Sequence, residues 1–235
     1  MRGRGLVIAL AATTAALAVL VSLEAVEAES YAGDRQPQHA GATATADPAP
    51  LRPGTHGIRV RALQQRLIAL GYLPPGSADG AYGQRTWHAV VAFQGWHRLR
   101  RDGVVGARTQ AALVSAVRPR PWVPLERGLQ LDLERQVLLV VSRGRTVRAV
   151  HISGAAPGYI TPRGRFYVYR RERLSWSVPY RVWMPYALYF SRGYAIHGFS
   201  SVPAYPASHG CVRMPMSEAP FVYAATLLHT PVVIR

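Results

Sequence analysis

The hydrophobic period changes partway along this chain, and that change limits the fold more than any other feature. Between residues 57 and 116 large apolar side chains recur at helical spacing. Val60, Leu63, Leu67 and Leu70 form one stripe, and Gly71 follows where a left-handed cap would sit. Trp87, Val90, Val91 and Phe93 mark a second helix, and Ala111, Ala112, Leu113 and Ala116 a weaker third. Beyond residue 128 the period falls to two. Leu129, Leu131 and Leu133 alternate with polar residues, 137–141 is a short apolar run, and 147–152 alternates again. Further strands are expected at 166–169, 182–184, 187–191 and 194–197, with Arg143-Gly144 and Arg192-Gly193 as turns. One helix interrupts this series near the C-terminus. Ser217 suits its N-cap, Glu218 its positive end, and Phe221, Ala224, Ala225 and Leu228 one face. Pro231 should stop it, before a final strand at 232–235. The expected fold class is two domains: a small all-α three-helix module, then a mainly-β sandwich or barrel with one helix near the C-terminus.

The segments outside these domains read by composition. Arg2 and Arg4 precede an uncharged, mostly apolar stretch at 6–21, and Val26-Glu27-Ala28 offers small residues for a signal peptidase. Residues 1–28 therefore read as a secretory signal peptide. Extended to Leu23 the stretch holds 18 uncharged residues, the lower limit for a span, so an uncleaved anchor is the alternative. Residues 29–55, rich in Ala, Gly, Thr and Pro, form a flexible linker. The helical module occupies 56–116, a stiff linker with Pro119, Pro121 and Pro124 occupies 117–127, and the β domain 128–235.

An internal repeat lies in the helical module. DGAYGQRT at 79–86 and DGVVGART at 102–109 share the pattern D-G-x-x-G-x-R-T, and each copy feeds a helix. Net charge is +16 and all 28 basic residues are arginine. Such charge suits an anionic partner. The arginines are scattered, however, and no zinc finger or ribonucleoprotein motif accompanies them, so nucleic acid is not the expected partner.

Chemistry concentrates at Ser208-His209-Gly210-Cys211-Val212-Arg213, with His197 upstream. Cys211 is the only cysteine in 235 residues. An unpaired cysteine in an exported chain points to a reactive thiol or an intermolecular bridge. A thiol with a pKa of roughly 8.5 needs a base or a nearby cation to become a nucleophile, and both residue types are present. A small buried apolar cysteine and a zinc site of His197, His209 and Cys211 are the competing readings. The paired spacing of structural zinc ligands is missing. On an extended strand His209 and Cys211 would stand about 6.5 Å apart, too far for a direct hydrogen bond. His197 could reach across from another strand. Spacing alone leaves the choice of base open.

Two resemblances complete the reading. Gly57-x-x-Val60-x-x-Leu63-Gln64, Leu70-Gly71-Tyr72, the two Asp-Gly turns and Ala89-Val90-x-x-Phe93-Gln94 resemble the helical peptidoglycan-binding domain. Arg98 stands where that family usually has glycine. Thr161-Pro162-x-Gly164-x-Phe166, Met184-Pro185-Tyr186, Tyr194-Ala195-Ile196-His197-Gly198 and the Ser208–Arg213 run resemble the L,D-transpeptidase catalytic domain. That resemblance implies Cys211 as nucleophile, His197 as general base and acid, and backbone at Gly198 fixing the His197 tautomer. We expect His209 to orient the loop and the Gly210 and Cys211 amides to form the oxyanion hole. Arg213 has two readings, support of thiolate or substrate, or a pin for the loop. Ser208, Trp183, Tyr186 and Tyr194, with Tyr180, are candidates to line a substrate groove. The implied activity is an extracytoplasmic, cofactor-free and metal-free transfer. Cys211 takes the acyl group of a peptidoglycan tetrapeptide stem as a thioester, releases D-alanine, and passes the acyl group to an amine of another stem. An L,D-carboxypeptidase using water and a non-catalytic wall-binding protein are the alternatives. The partners are glycan strands and stem peptides, with a membrane only if the leader stays attached.

Overall fold

The computed structural model describes residues 49–235. The expected leader and most of the first linker fall on residues 1–48, outside the described residues. Three helices come first: α1 (Ile58–Ala69), α2 (Gln84–Trp96) and α3 (Ala107–Ser115). Val60, Leu63 and Leu67 of α1 and Val90 and Phe93 of α2 are buried, as their spacing requires. The sequence repeat has a structural cause. The Gln64 amide donates to Asp79 Oδ1 (2.7 Å) and Thr86 Oγ1 (3.0 Å), and its oxygen accepts the Gly80 N–H (2.8 Å). Gln94 repeats this on Asp102 (2.9 Å), Thr109 (3.3 Å) and Gly103 (2.8 Å). Each buried glutamine thus ties an Asp-Gly turn to the helix that follows it, with its polar atoms satisfied. Arg98 adopts φ +56°, the left-handed backbone that glycine would supply at that turn.

The β domain contains two sheets. The first has the order β3 (Arg145–His151), β2 (Val137–Ser142), β1 (Arg127–Asp132), β9 (Pro231–Ile234), β4 (Gly164–Tyr167). The second runs β5 (Arg170–Ser177), β6 (Val182–Ser191), β7 (Tyr194–Phe199), β8 (Val212–Pro215). Leu129, Leu131, Leu138 and Val150 of the first sheet meet Leu188, Phe190, Ile196 and Val212 of the second in one core. The opposite face of the first sheet is also covered. Val137, Leu139, Val141 and Ala149 share a core with Val60, Leu67, Val90 and Phe93 of the helices. A strand buried on both faces reads as a continuous apolar run, which is why 137–141 does not alternate. Helices, first sheet and second sheet therefore form three layers.

The joint between module and sheet is tight. Gly95 of α2 faces the Arg135 carbonyl so closely that a Cβ there would lie 2.2 Å from the oxygen. Ala149 N–H donates to Gly71 O (2.9 Å), and Arg118 of the proline-rich segment reaches Ala69 O (2.8 Å). Trp122 N–H is held by the Gln130 side chain (2.9 Å). The segment expected as a spacer is thus fastened to both lobes.

Several local expectations need correction. Arg170–Ser177 forms a strand missing from the expected series: its first four residues are all charged, and its alternating apolar pair, Leu174 and Trp176, is short and exposed. The strands expected at 182–184 and 187–191 are one strand, β6, which continues through Tyr186 at φ +56°. The last helix, α4, spans Ala219–Ala225 with Glu218 at its N-cap, and Ser217 makes no cap bond. The Glu218 carboxylate instead pairs with buried Arg148 (2.9 Å) on β3. The buried face of α4 is Ala219 and Val222, whereas Phe221 and Leu228 are exposed. Pro231 starts β9 rather than ending α4.

At the joint His88 Nδ1 lies 3.0 Å from His151 Nδ1. Burial pushes the His88 pKa down to about 4 and that of His151 to about 3, with Arg101 adding repulsion at His151. The pair is therefore neutral, one ring donating and the other accepting. Below pH about 6.5 the unfolded chain takes up protons that the folded pair refuses, so stability falls as pH drops toward 4. The melting temperature should decline between pH 7 and pH 5, with a shallower slope in the double variant His88→Phe/His151→Phe. Equal slopes for both proteins would contradict a neutral buried pair.

Candidate active site

Cys211 stands immediately before β8, which pairs in parallel with β7 at Ile196–Val212 and His197–Arg213. Side chains alternate along strands, so Ile196 and Val212 enter the core while His197 and Arg213 face outward with Cys211. Met184, Ala187, Tyr189 and Ala195 form a small buried cluster on that outer side, and Cys211 packs against it. His197, Cys211 and Arg213 line one small cavity of about 30 Å³. A groove of about 410 Å³ also reaches Cys211, beneath the turn that joins β5 to β6.

The His197 ring is buried. Its Nδ1 lies 2.9 Å from Gly198 O, an acceptor only, so Nδ1 carries the proton and Nε2 is the basic nitrogen. Burial lowers its pKa to about 4, so the ring is neutral at rest. Burial pushes the Cys211 thiol up, opposed by the Ala195 backbone and Arg213, and its Sγ lies 3.9 Å from Gly193 O. At neutral pH the resting pair is therefore thiol and imidazole, not thiolate and imidazolium. A neutral imidazole in the same cavity is a group that could accept the thiol proton.

The loop before Cys211 is tightly held. The Ser208 hydroxyl donates to the Cys211 carbonyl and accepts the Gly210 N–H (3.0 Å). Gly210 has φ +129°, and a Cβ there would lie 2.6 Å from the Tyr194 ring and 2.9 Å from Ile160 O. Thr161 Oγ1 donates to Gly210 O (2.8 Å) and accepts Ala155 N–H (3.1 Å). Thr161 was visible only as part of a motif, since nothing in a Thr-Pro pair says where its hydroxyl points. His209 stacks on Tyr180 (4.5 Å, 9° between planes) and meets Tyr159 edge-on (4.7 Å). Arg213 lies over the Phe199 ring (4.4 Å), while its backbone pairs with Ser153 in both directions (2.9 and 3.0 Å).

Of the expected groove residues, Tyr194 and Tyr180 line the space beside Cys211. Tyr186 is not brought there. Its left-handed backbone interrupts the alternation of β6, and its ring packs into the inter-sheet core against Tyr223 (5.7 Å). Trp183 is exposed and meets Trp176 (5.0 Å) across β5, outside both cavities at Cys211. Among the described residues no three His, Cys, Asp or Glu side chains converge to hold a metal ion.

Comparison with known proteins agrees with this architecture. Residues 56–113 match the peptidoglycan binding domain and residues 126–234 the L,D-transpeptidase catalytic domain. The L,D-transpeptidase of Xylanimonas cellulosilytica is 41% identical in sequence and superposes with a TM-score of 0.75, covering 80% of this chain and 98% of that one. The chain belongs to the L,D-transpeptidase family. Its helical module is also similar to part of an N-acetylmuramoyl-L-alanine amidase of Bacillus licheniformis, 44% identical over 66 residues. That match covers 28% of this chain and 18% of the amidase. Within this transpeptidase-family chain the module and the catalytic domain are joined through one core.

Thr161 gives a direct check on the loop. Thr161→Val removes a donor to Gly210 O and leaves the Ala155 N–H without its acceptor, so unfolding in urea should show a loss of about 1–3 kcal/mol. Thr161→Ser should recover most of it. Equal losses in the two variants would mean that the hydroxyl is not what holds the loop.

Proposed function

We propose that this protein is a peptidoglycan L,D-transpeptidase acting outside the cytoplasm, with Cys211 as its nucleophile. The observation that carries this reading is the shared cavity of Cys211 and His197, with Nδ1 committed to Gly198 O and Nε2 left basic. The donor is a tetrapeptide stem lying in the groove between Tyr194 and Tyr180. Cys211 Sγ adds to the carbonyl of the L-centred end of the diamino acid as its proton passes to His197 Nε2. The tetrahedral oxyanion is met by backbone donors at the nucleophile. The Cys211 amide is the nearer candidate, since the Gly210 amide already donates to Ser208 Oγ and would have to turn away from it. The carbonyl reforms, the bond to terminal D-alanine breaks, and His197 returns the proton to the leaving amine. A thioester remains. The side-chain amine of a second stem then attacks it, His197 takes the amine proton, and the thiol is restored with a 3→3 cross-link formed.

The other residues take supporting roles. His209, stacked on Tyr180, holds the β5–β6 turn over the groove. Ser208 and Thr161 fix the backbone on either side of Gly210. Arg213 keeps positive charge beside the thiol and anchors the loop through its backbone. The helical module holds the chain to the wall polymer.

Mass spectrometry after carbapenem exposure tests the nucleophile. One adduct should form on the wild type and none on Cys211→Ala. Incubation with a tetrapeptide stem should yield free D-alanine and a cross-linked dimer. An unmodified wild type would overturn the enzymatic reading. An adduct accompanied by tripeptide without dimer would turn the assignment to a carboxypeptidase.

A further inference from the structure

A cleft of about 610 Å³ lies between the two lobes, outside the groove assigned to the stem. One wall is the start of α2, with Gln84, Arg85, Trp87 and His88. The other is made by residues 199–203, from the end of β7 onward, and 215–217, from the end of β8. Phe199 belongs both to this cleft and to the small cavity of Cys211 and His197. Its ring meets His197 edge-on at 5.8 Å. The cleft thus begins at the ring that backs the reacting pair.

Its chemistry is specific. The Trp87 indole is fixed, with Nε1 donating to Asp102 O (3.3 Å) and the ring edge-on to His88 (4.9 Å) and His151 (5.9 Å). The exposed hydroxyls of Ser200, Ser201 and Ser217, the Gln84 amide and the Arg85 guanidinium surround it, and no carboxylate lines it. An aromatic ring bordered by hydroxyl and amide groups and one guanidinium fits a pyranose. The apolar face of the sugar lies on the indole, and its hydroxyls and N-acetyl group meet the rim. The volume falls in the range of about 300–1,000 Å³ usual for ligand sites, and domain junctions are a common place for them. The tight joint means that the cleft needs no closure before binding, which spares ordering cost.

We propose that this cleft is a glycan subsite, holding an N-acetylated hexosamine segment of the polymer against Trp87, with module and catalytic domain contributing one wall each. The proposal rests on the reading of Cys211 as acting on peptidoglycan stems. Binding energy gained here, remote from the thiol, favours substrates still attached to their sugar.

The experiment uses the full chain, an N-acetylglucosamine tetramer as probe, and a tetrapeptide stem supplied free or linked to its disaccharide. The tetramer should bind the wild type. Trp87→Ala, and Ser201→Trp, which fills the cleft from the catalytic side, should each weaken it by about tenfold or more. Both should raise KM for the linked peptide by a similar factor with kcat unchanged. The free peptide and carbapenem acylation should be unaffected, which also shows that the variants are folded. A tetramer that does not bind the wild type, or variants that alter free and linked peptides alike, would overturn the proposal. So would competition between the free peptide and the tetramer. Failure of the wild type to form a carbapenem adduct would instead strike the reading of Cys211 beneath it.

Discussion

The parallel pairing of β7 with β8 is the constraint on which the site depends. It sets His197 beside the strand that Cys211 opens and turns both away from the core. The Gly198 carbonyl then fixes which nitrogen of His197 is basic. Neither effect requires the thiol to be ionised at rest. Burial raises the thiol and lowers the imidazole, so the pair stores no separated charge. In an oxidising compartment a protonated, half-buried thiol also resists unwanted oxidation.

The first sheet supports this arrangement from below. Its inner face packs on the sheet that carries the site, and its outer face packs on the helical module. A module that shares a core with its neighbour cannot swing as a tethered adaptor would. The binding and catalytic lobes therefore hold one fixed geometry, and the cleft between them is a built feature of the surface.

Much of this was legible in the residues because local pattern and tertiary environment agree. The helical stripes of α1 and α2 are buried as spaced, and the repeat marks two equivalent turn networks. Cys211 stood out by being alone, and His197 by its motif. What stayed hidden depends on partners distant in sequence. Arg170–Ser177 owes its strand to pairing with β6, since four charged residues open it and its alternating Leu174 and Trp176 are exposed. Tyr186 and Trp183 look like groove residues, but the left-handed backbone at 186 sends one ring inward, and the other lies exposed against Trp176, outside the groove. Ser217 looks like a cap, but its neighbour Glu218 takes the N-cap position and is drawn to Arg148, which lies 70 positions earlier. The covered outer face of the first sheet had one sign, the unbroken apolar run at 137–141, which is equally consistent with other buried strands.

The most direct test of the account is the pH dependence of Cys211 acylation in the wild type and in His197→Gln. General-base catalysis by a neutral, preorganised imidazole predicts that the variant is slower by about 10²- to 10⁴-fold near neutrality. It also predicts that the rate of the variant climbs in proportion to hydroxide, as an unassisted thiol requires, while the wild type depends only weakly on pH above the His197 pKa. A variant that acylates at the wild-type rate with an unchanged profile would contradict the assignment of His197 as the base.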